Sequence, residues 1–293
     1  MSTLNGVFVA MVTPFIGDII NRDAIARLLE FYKLKGLYGV LVCGSTGESH
    51  LMTKDEIKET IEAVVNFASG NLKIIAGIVR SSTRDAIEIA KFSQDVGADA
   101  VLAITPYYYK FKEEEIIDHY NMLRKSVEIP VLLYNAPVFT GYNVSPEIVA
   151  KMLNEGIIDG IKDTVVDVDH ILRILINNER KDVTVFAGSS RIFLPALSMG
   201  ISGGILASAN YVPELAVDVY ENWTSKHTRE SYEAFRRLVI VSKAIECYGV
   251  PGIKAAMGIR GLPAGNPRRP FRELDENKKK MIRIYLSELA NIK

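Results

Sequence analysis

Short runs of apolar, β-branched-rich residues recur along the first 210 positions of the chain. Each ends in Gly, Ser, Thr, Pro or Asn and is followed by a stretch in which apolar residues return every three or four positions, the mark of a strand giving way to an amphipathic helix. Eight such runs are legible, at 7–12, 39–42, 73–78, 100–104, 131–134, 160–162, 183–187 and 203–206. The helices between them have readable starts: Thr53-Lys54-Asp55-Glu56 is a capping box, Ser82 precedes Asp85 by three, and Ser145-Pro146-Glu147 sets Pro at the first helical position. Gly36, Gly97, Gly156 and Gly200 fall where left-handed helix stops belong. The strands are short and nearly all apolar, so both of their faces are covered, and the sheet is parallel.

Eight such units in about 225 residues predict a closed (β/α)₈ TIM barrel, an α/β fold, rather than an open doubly wound sheet. The Gly-x-Gly-x-x-Gly fingerprint of dinucleotide sites is missing from the strand ends. From Pro213 onward only helical patterns appear, at 213–226, 228–248, 252–259 and 275–290. The expected division is a barrel at 1–225 and a C-terminal helical extension at 226–293.

Composition narrows the function classes. The 293 residues carry 35 Lys+Arg against 35 Asp+Glu, a formal charge of zero, with 48% apolar residues. A chain without a basic block lacks the electrostatic footprint for a phosphate backbone, so no nucleic-acid partner is expected. The basic runs Arg268-Arg269 and Lys278-Lys279-Lys280 read as solvated helix faces. No stretch reaches the 18 or so apolar residues of a membrane span, and residues 1–14 have no cationic start, so no membrane partner and a cytoplasmic location are expected. Cys43 and Cys247 have no Cys-x-x-Cys spacing and are expected to be buried thiols. His50, His119, His170 and His227 show no metal spacing, and no metal site is predicted.

Barrel enzymes carry their reacting groups at the carboxyl ends of the strands. There the chain places Gly44-Ser45-Thr46-Gly47-Glu48, Thr105-Pro106-Tyr107-Tyr108-Tyr109, Tyr134-Asn135-Ala136-Pro137, Lys162-Asp163-Thr164 and Gly188-Ser189-Ser190. Lys162 ends the apolar run 157–161, where an ammonium is costly to bury. It either pairs with an acid such as Asp163 or Glu48, or snorkels to the rim, or it is a partly neutral amine that attacks a ketone to form a Schiff base. Tyr134 favours the last reading: 28 residues earlier and one βα unit away, its phenol would stand beside the amine and could pass protons in carbinolamine formation and collapse. Ser45-Thr46 between two glycines is either an ordinary turn or a seat for a carboxylate and a link in a hydroxyl chain. The tyrosine run is either packing at the barrel mouth or a subunit contact.

Gly-Ser-Thr-Gly-Glu, Pro-Tyr-Tyr, Tyr-Asn-x-Pro and Ile-Lys-Asp-Thr, in this order and each on its own strand, with Gly-Gly-Ile on strand eight, resemble the dihydrodipicolinate synthase / N-acetylneuraminate lyase family over nearly the whole chain. The resemblance implies a class I, pyruvate-dependent lyase or aldolase with no metal and no organic cofactor. Lys162 then looks like the Schiff-base lysine and Tyr134 like the general acid/base. Ser45 keeps the hydroxyl that would link Tyr134 to Tyr108, and Tyr108 resembles the tyrosine lent across a dimer interface. Thr46 would hold the pyruvate carboxylate, and Ile205 matches the strand-eight residue whose backbone lines the pyruvate pocket. Pyruvate and an aldehyde are the implied substrates, and a homotetramer, a dimer of dimers, the implied assembly.

Departures from the family pattern bear on the substrate. Where the synthases set an arginine for the carboxylate of aspartate semialdehyde, this chain has Phe139, and a charged contact typically worth about 1.5–3 kcal/mol is missing. Lys162-Asp163-Thr164 and the pair Gly188-Ser189 instead resemble archaeal 2-keto-3-deoxygluconate aldolases, which makes Thr164, Gly188 and Ser189 candidate substrate contacts. Ser190, Ala136 and Phe111 depart from that group as well, against a phosphorylated substrate. The expected function is a 2-keto-3-deoxygluconate aldolase. The alternatives are a 4-hydroxy-tetrahydrodipicolinate synthase or a family member that binds keto acids without turning them over. A further rival reads Gly188-Ser189-Ser190 and Gly203-Gly204 as a phosphate cradle.

Overall fold

A computed structural model describes residues 4–68 and 70–289. Eight parallel strands close into a barrel: β1 (Gly6–Ala10), β4 (Gly39–Val42), β5 (Lys73–Ile78), β6 (Ala100–Ile104), β7 (Val131–Asn135), β8 (Gly160–Asp163), β9 (Thr184–Ala187) and β10 (Gly203–Leu206). Each pairs with the next, and β10 returns to β1. The helices of the βα units are α1 (Arg22–Leu34), α2 (Lys54–Ala68), α3 (Thr83–Asp95), α4 (Glu113–Arg124), the single turn α5 (Pro137–Thr140), α6 (Pro146–Asn154), α7 (Val168–Asn177) and α8 (Phe193–Ser198). After β10 come α9 (Pro213–Thr224), α10 (Thr228–Glu246), α11 (Gly249–Ile259) and α12 (Glu276–Leu289). The expected TIM barrel is therefore borne out, and no helix among the described residues is long and apolar enough to cross a membrane.

The period-two alternation of the strands sorts the core into two layers. Phe8, Leu41, Ile75, Leu102, Leu132, Tyr134, Phe186 and Ile205 fill the barrel interior, where Phe8 and Phe186 meet edge to face at 5.2 Å. The intervening residues, such as Val40, Leu133, Ile161 and Val185, face the helices. The helix signals act as read: Thr53 and Glu56 exchange both bonds of a capping box, Ser82 and Ser145 accept from backbone N–H groups three residues on, and the four stop glycines all have positive φ.

Several expectations need correction. The first strand stops at Ala10, not at residue 12, because Asn210 intercepts the chain: its Nδ2 donates to Ala10 O at 2.7 Å and its Oδ1 accepts from Val12 N at 3.1 Å. The strand read as 183–187 starts at Thr184. A small antiparallel pair, β2 (Phe15–Ile16) and β3 (Ile19–Ile20), went unread because two-residue arms carry no periodicity. The third late helix starts at Gly249 rather than 252, and the first two end at Thr224 and Glu246. Cys43 is buried as expected, but Cys247 caps the end of α10 and is exposed. Residues 290–293 of the expected extension lie outside the described residues.

The helices after β10 are tied to the barrel by a buried ion pair. Lys254 on α11 reaches Glu48 Oε1 at 2.6 Å, with both side chains almost wholly buried, and also donates to Thr13 O and Asn266 O. The second Glu48 oxygen accepts from Arg268 N at 2.7 Å, while the Arg268 guanidinium grips both oxygens of Glu56 and stacks over Phe15 at 4.3 Å. Each buried charge of the knot faces an opposite charge, which is what allows these groups to be buried. Lys254→Met removes the cation and strands Glu48, so urea denaturation should show unfolding free energy lowered by about 3–5 kcal/mol. A loss below about 1 kcal/mol, the scale of an exposed pair, would show that the knot is incidental.

Candidate active site

The register of β7 and β8 sets Tyr134 directly beside Lys162, and the register of β8 and β9 sets Phe186 on its other side. All three face the barrel interior, so Lys162 has an aromatic residue as its register neighbour on each adjoining strand. The Lys162 Nζ lies 4.5 Å from the centroid of the Tyr134 ring, and the residue is only 4% exposed. Neither acid proposed as its partner is available: Asp163 points outward to His170 at 2.7 Å, and Glu48 is bound to Lys254. Among the described residues Lys162 has no ion pair.

Burial therefore acts on the amine with little opposition. It pulls the Lys162 pKa from 10.5 down to about 7, with only the charge of Glu246 pushing the other way. At neutral pH roughly half of such amines are free bases, against about one in three thousand for an ordinary lysine. Burial also raises the pKa of Tyr134, while its bond to Ser45 works in the lowering direction, so the phenol keeps its proton at neutral pH. The two hydroxyls are 3.4 Å apart. A nucleophilic amine beside a protonated phenol that can relay through a serine is the equipment for imine chemistry on a ketone.

Ser45 and Thr46 sit half-buried in the turn after β4, closed by Gly47 N to Gly44 O at 3.1 Å and Glu48 N to Ser45 O at 3.1 Å. Left-handed residues bracket it, Cys43 at φ 55° and Glu48 at φ 58°. Such conformations cost about 1–3 kcal/mol each and persist only when their surroundings hold them. Glu48 is held by the Lys254 and Arg268 knot. Cys43 is accommodated by Gly77, where a Cβ would stand 2.6 Å from the Cys43 carbonyl oxygen.

The remaining candidates are placed unevenly. Ile205 is fully buried on β10 in the interior layer. Thr164 is half-buried with its hydroxyl donating to Asn135 O at 2.8 Å, and Ser189 accepts from Arg191 N at 3.3 Å. Gly188 is required by packing, since a Cβ there would meet the Thr164 methyl at 2.5 Å. Tyr108 is 87% exposed, at φ 82°, with its ring edge to face against Tyr109, so one chain alone does not join it to Ser45 and Tyr134. Tyr107, by contrast, bonds His50 Nδ1 at 2.8 Å. For the phosphate-cradle reading, Gly203 and Gly204 have a packing explanation of their own. A Cβ on Gly203 would strike the Gly6 carbonyl at 1.9 Å and one on Gly204 the Phe193 ring at 2.8 Å, so these glycines serve strand packing.

A cavity of about 590 Å³ opens at the barrel mouth, with Ser45, Tyr107, Tyr108, Val138, Phe139 and Phe271 among its lining residues. No Arg or Lys is among its described lining residues. Sequence reasoning missed Glu246, the half-buried last residue of α10. Burial raises its carboxyl to about 7, opposed by the Tyr211 hydroxyl, which donates to it at 3.1 Å, and by the charge of Lys162. No local signal marks it, because it acts on Lys162 from a helix outside the strand pattern. Among the described residues no cluster of His, Cys, Asp or Glu is placed to hold a metal ion.

Comparison with known proteins identifies the family. The model of the dihydrodipicolinate synthetase family matches residues 3–289. The 4-hydroxy-tetrahydrodipicolinate synthase of Methanopyrus kandleri is 36% identical, over 98% of this chain and 97% of that protein. Among solved structures, the dihydrodipicolinate synthase of Thermotoga maritima superposes with a TM-score of 0.93 at 28% identity, over 100% of both chains. YagE of E. coli K12, a prophage protein of the dihydrodipicolinic acid synthase family solved in complex with pyruvate, superposes with a TM-score of 0.94 at 25% identity, over 99% of both. The chain therefore belongs to the dihydrodipicolinate synthetase family, and so to the pyruvate-dependent carbon–carbon lyases.

Proposed function

We propose that this lyase cleaves a 2-keto-3-deoxy sugar acid such as 2-keto-3-deoxygluconate to pyruvate and an aldehyde, reversibly, through a Schiff base on Lys162. The observation that carries the reading is the Lys162 amine, buried against the Tyr134 ring with no carboxylate paired to it. The free amine attacks the C2 carbonyl; the Tyr134 phenol protonates the carbinolamine hydroxyl, which leaves as water. The resulting iminium draws in the electrons of the C3–C4 bond as the C4 hydroxyl gives its proton to the Tyr134 oxygen, releasing the aldehyde. The enamine left behind takes a proton at C3, and hydrolysis returns pyruvate and the amine. Thr46 is assigned to the pyruvate carboxylate, Ser45 and Tyr108 to the relay behind Tyr134, and Thr164, Gly188, Ser189 and the Ile205 backbone to the substrate.

The sugar-acid assignment rests on Phe139 at the mouth of the cavity and on the lack of a cation among its lining residues. An aldehyde with its own carboxylate would be buried there without a charge partner. The second reading, a 4-hydroxy-tetrahydrodipicolinate synthase, is favoured by the names of relatives 30–36% identical to this chain. The exposed Tyr108 supports an assembly in which a second copy covers the tyrosine and brings it to the neighbouring site; with it we propose a homotetramer, a dimer of dimers, and a cytoplasmic location.

Three measurements test these assignments. Pyruvate with borohydride should add a reduced pyruvyl mass to the Lys162 peptide, and an unmodified Lys162 would end the Schiff-base reading. Tyr134→Phe should slow turnover by about 10²–10⁴; near-wild-type turnover would make the phenol a packing residue only. In a panel assay 2-keto-3-deoxygluconate should release pyruvate faster than aspartate semialdehyde consumes it, and the reverse order would establish the synthase.

A further inference from the structure

Strand alternation turns Tyr134 and Lys162 into the barrel and sends the residues after them, Asn135 and Asp163, to the outside. There Asn135 Nδ2 donates to Asp163 Oδ1 at 3.0 Å, and the same oxygen accepts from Val165 N at 3.1 Å. Asp163 Oδ2 lies 2.7 Å from His170 Nδ1 on α7, and His170 Nε2 lies 3.0 Å from Val144 O. Val144 N donates back to Asn135 Oδ1 at 3.3 Å, which closes a ring of hydrogen bonds. Asn135, Val144, Asp163 and His170 are all buried.

Both oxygens that face the imidazole are acceptors by nature. A neutral ring has one N–H, so with Asp163 ionised one contact would set lone pair against lone pair. The geometry is satisfied only when one proton sits on Nε2, for Val144, and another lies between Nδ1 and Asp163, whichever of the two carries it. Burial pulls the His170 pKa down, but the bond and charge of Asp163, the Val144 carbonyl and the charge of Asp167 outweigh it, and the net shift is upward. The other charges near the ring are Glu147 on α6 and Asp169 on α7, both engaged by Arg173 on α7.

We propose that the Asn135–Asp163–His170 ring is a positioning device, which fastens β7 to β8 from behind so that the Tyr134 phenol and the Lys162 amine stay in register, and which holds only while the proton between His170 and Asp163 is present. The inference rests on the reading of Lys162 as the nucleophile. Its consequence is a conflict of requirements: the amine must lose a proton as pH rises through about 7, while the ring must keep one. Because the His170 pKa is raised above 6.5, the ring is intact below that value and loosens as pH rises through the raised one. Activity should then follow a bell whose alkaline limb belongs to His170.

The test combines ¹⁵N-histidine NMR of the unaltered enzyme with pH profiles of pyruvate release. His170 should titrate above 6.5, its resonance assigned by loss in His170→Gln. That variant should lower kcat by about 10–100-fold, the scale of a small misplacement of reacting groups, and abolish the alkaline limb. Asp163→Asn keeps the shape but removes the charge, so it should shift the limb to lower pH, and it serves where His170→Gln does not fold. A His170 that titrates below 6.5, or alkaline limbs unchanged in the variants, would overturn the proposal. Borohydride trapping keeps the two readings apart: an enzyme that traps no pyruvate sinks the Schiff-base reading itself, whereas one that traps pyruvate with an unshifted limb sinks only this inference.

Discussion

The structure turns on the burial of one lysine amine without an ion-paired carboxylate. Lys162 could have been neutralised by Asp163, its chain neighbour, or by Glu48 in the turn after β4, and in each case the fold assigns the acid elsewhere. What remains is the face of Tyr134 against Nζ, Phe186 beside it in the register, and the charge of Glu246 acting from α10. Desolvation then does what no added group could do as simply, leaving an amine that is a fair nucleophile at neutral pH. The stability forgone by not pairing the lysine is what leaves its amine partly uncharged at neutral pH.

Three features keep that arrangement in place. The interior layer of the barrel, from Phe8 through Ile205, excludes water below the amine. The knot of Glu48, Lys254 and Arg268 holds the strained turn that presents Ser45 and Thr46, and couples it to the helices after β10. Behind β7 and β8, the outward residues Asn135 and Asp163 bond to each other while Tyr134 and Lys162, the residues proposed for the chemistry, face inward side by side. In a parallel sheet the residue after a reacting one faces away from it, so support for the site comes from the opposite face of the same strands.

The barrel was legible because its signals are local. Strand runs, capping residues and stop glycines are each read within a few positions, and the backbone obeys them at Thr53, Ser145 and Gly97. Lys162 and Tyr134 were legible for a related reason, since two adjacent parallel strands of known periodicity imply a register between their ends, and that register is observed. Features that depend on distant contacts were not. Glu48 meets Arg268 across 220 positions, and Asn210 cuts short β1 from 200 positions away. Glu246 and His170 look like ordinary helix residues until the packing shows what they face. Tyr108 is legible as a residue of the mouth, but in the folded chain it is exposed and meets the neighbouring Tyr109.

Schiff-base chemistry at this site requires one side chain, Lys162, to be substantially unprotonated near neutral pH. The rate at which a small uncharged acylating reagent modifies Lys162, read by mass spectrometry of its peptide across a pH series without pyruvate, reports the free amine directly. The rate should climb through a midpoint near 7 and level off above it. A rate still climbing past pH 9 toward the ordinary lysine value of 10.5 would mean that the amine is charged at neutral pH, and that burial in the barrel does not make it a nucleophile.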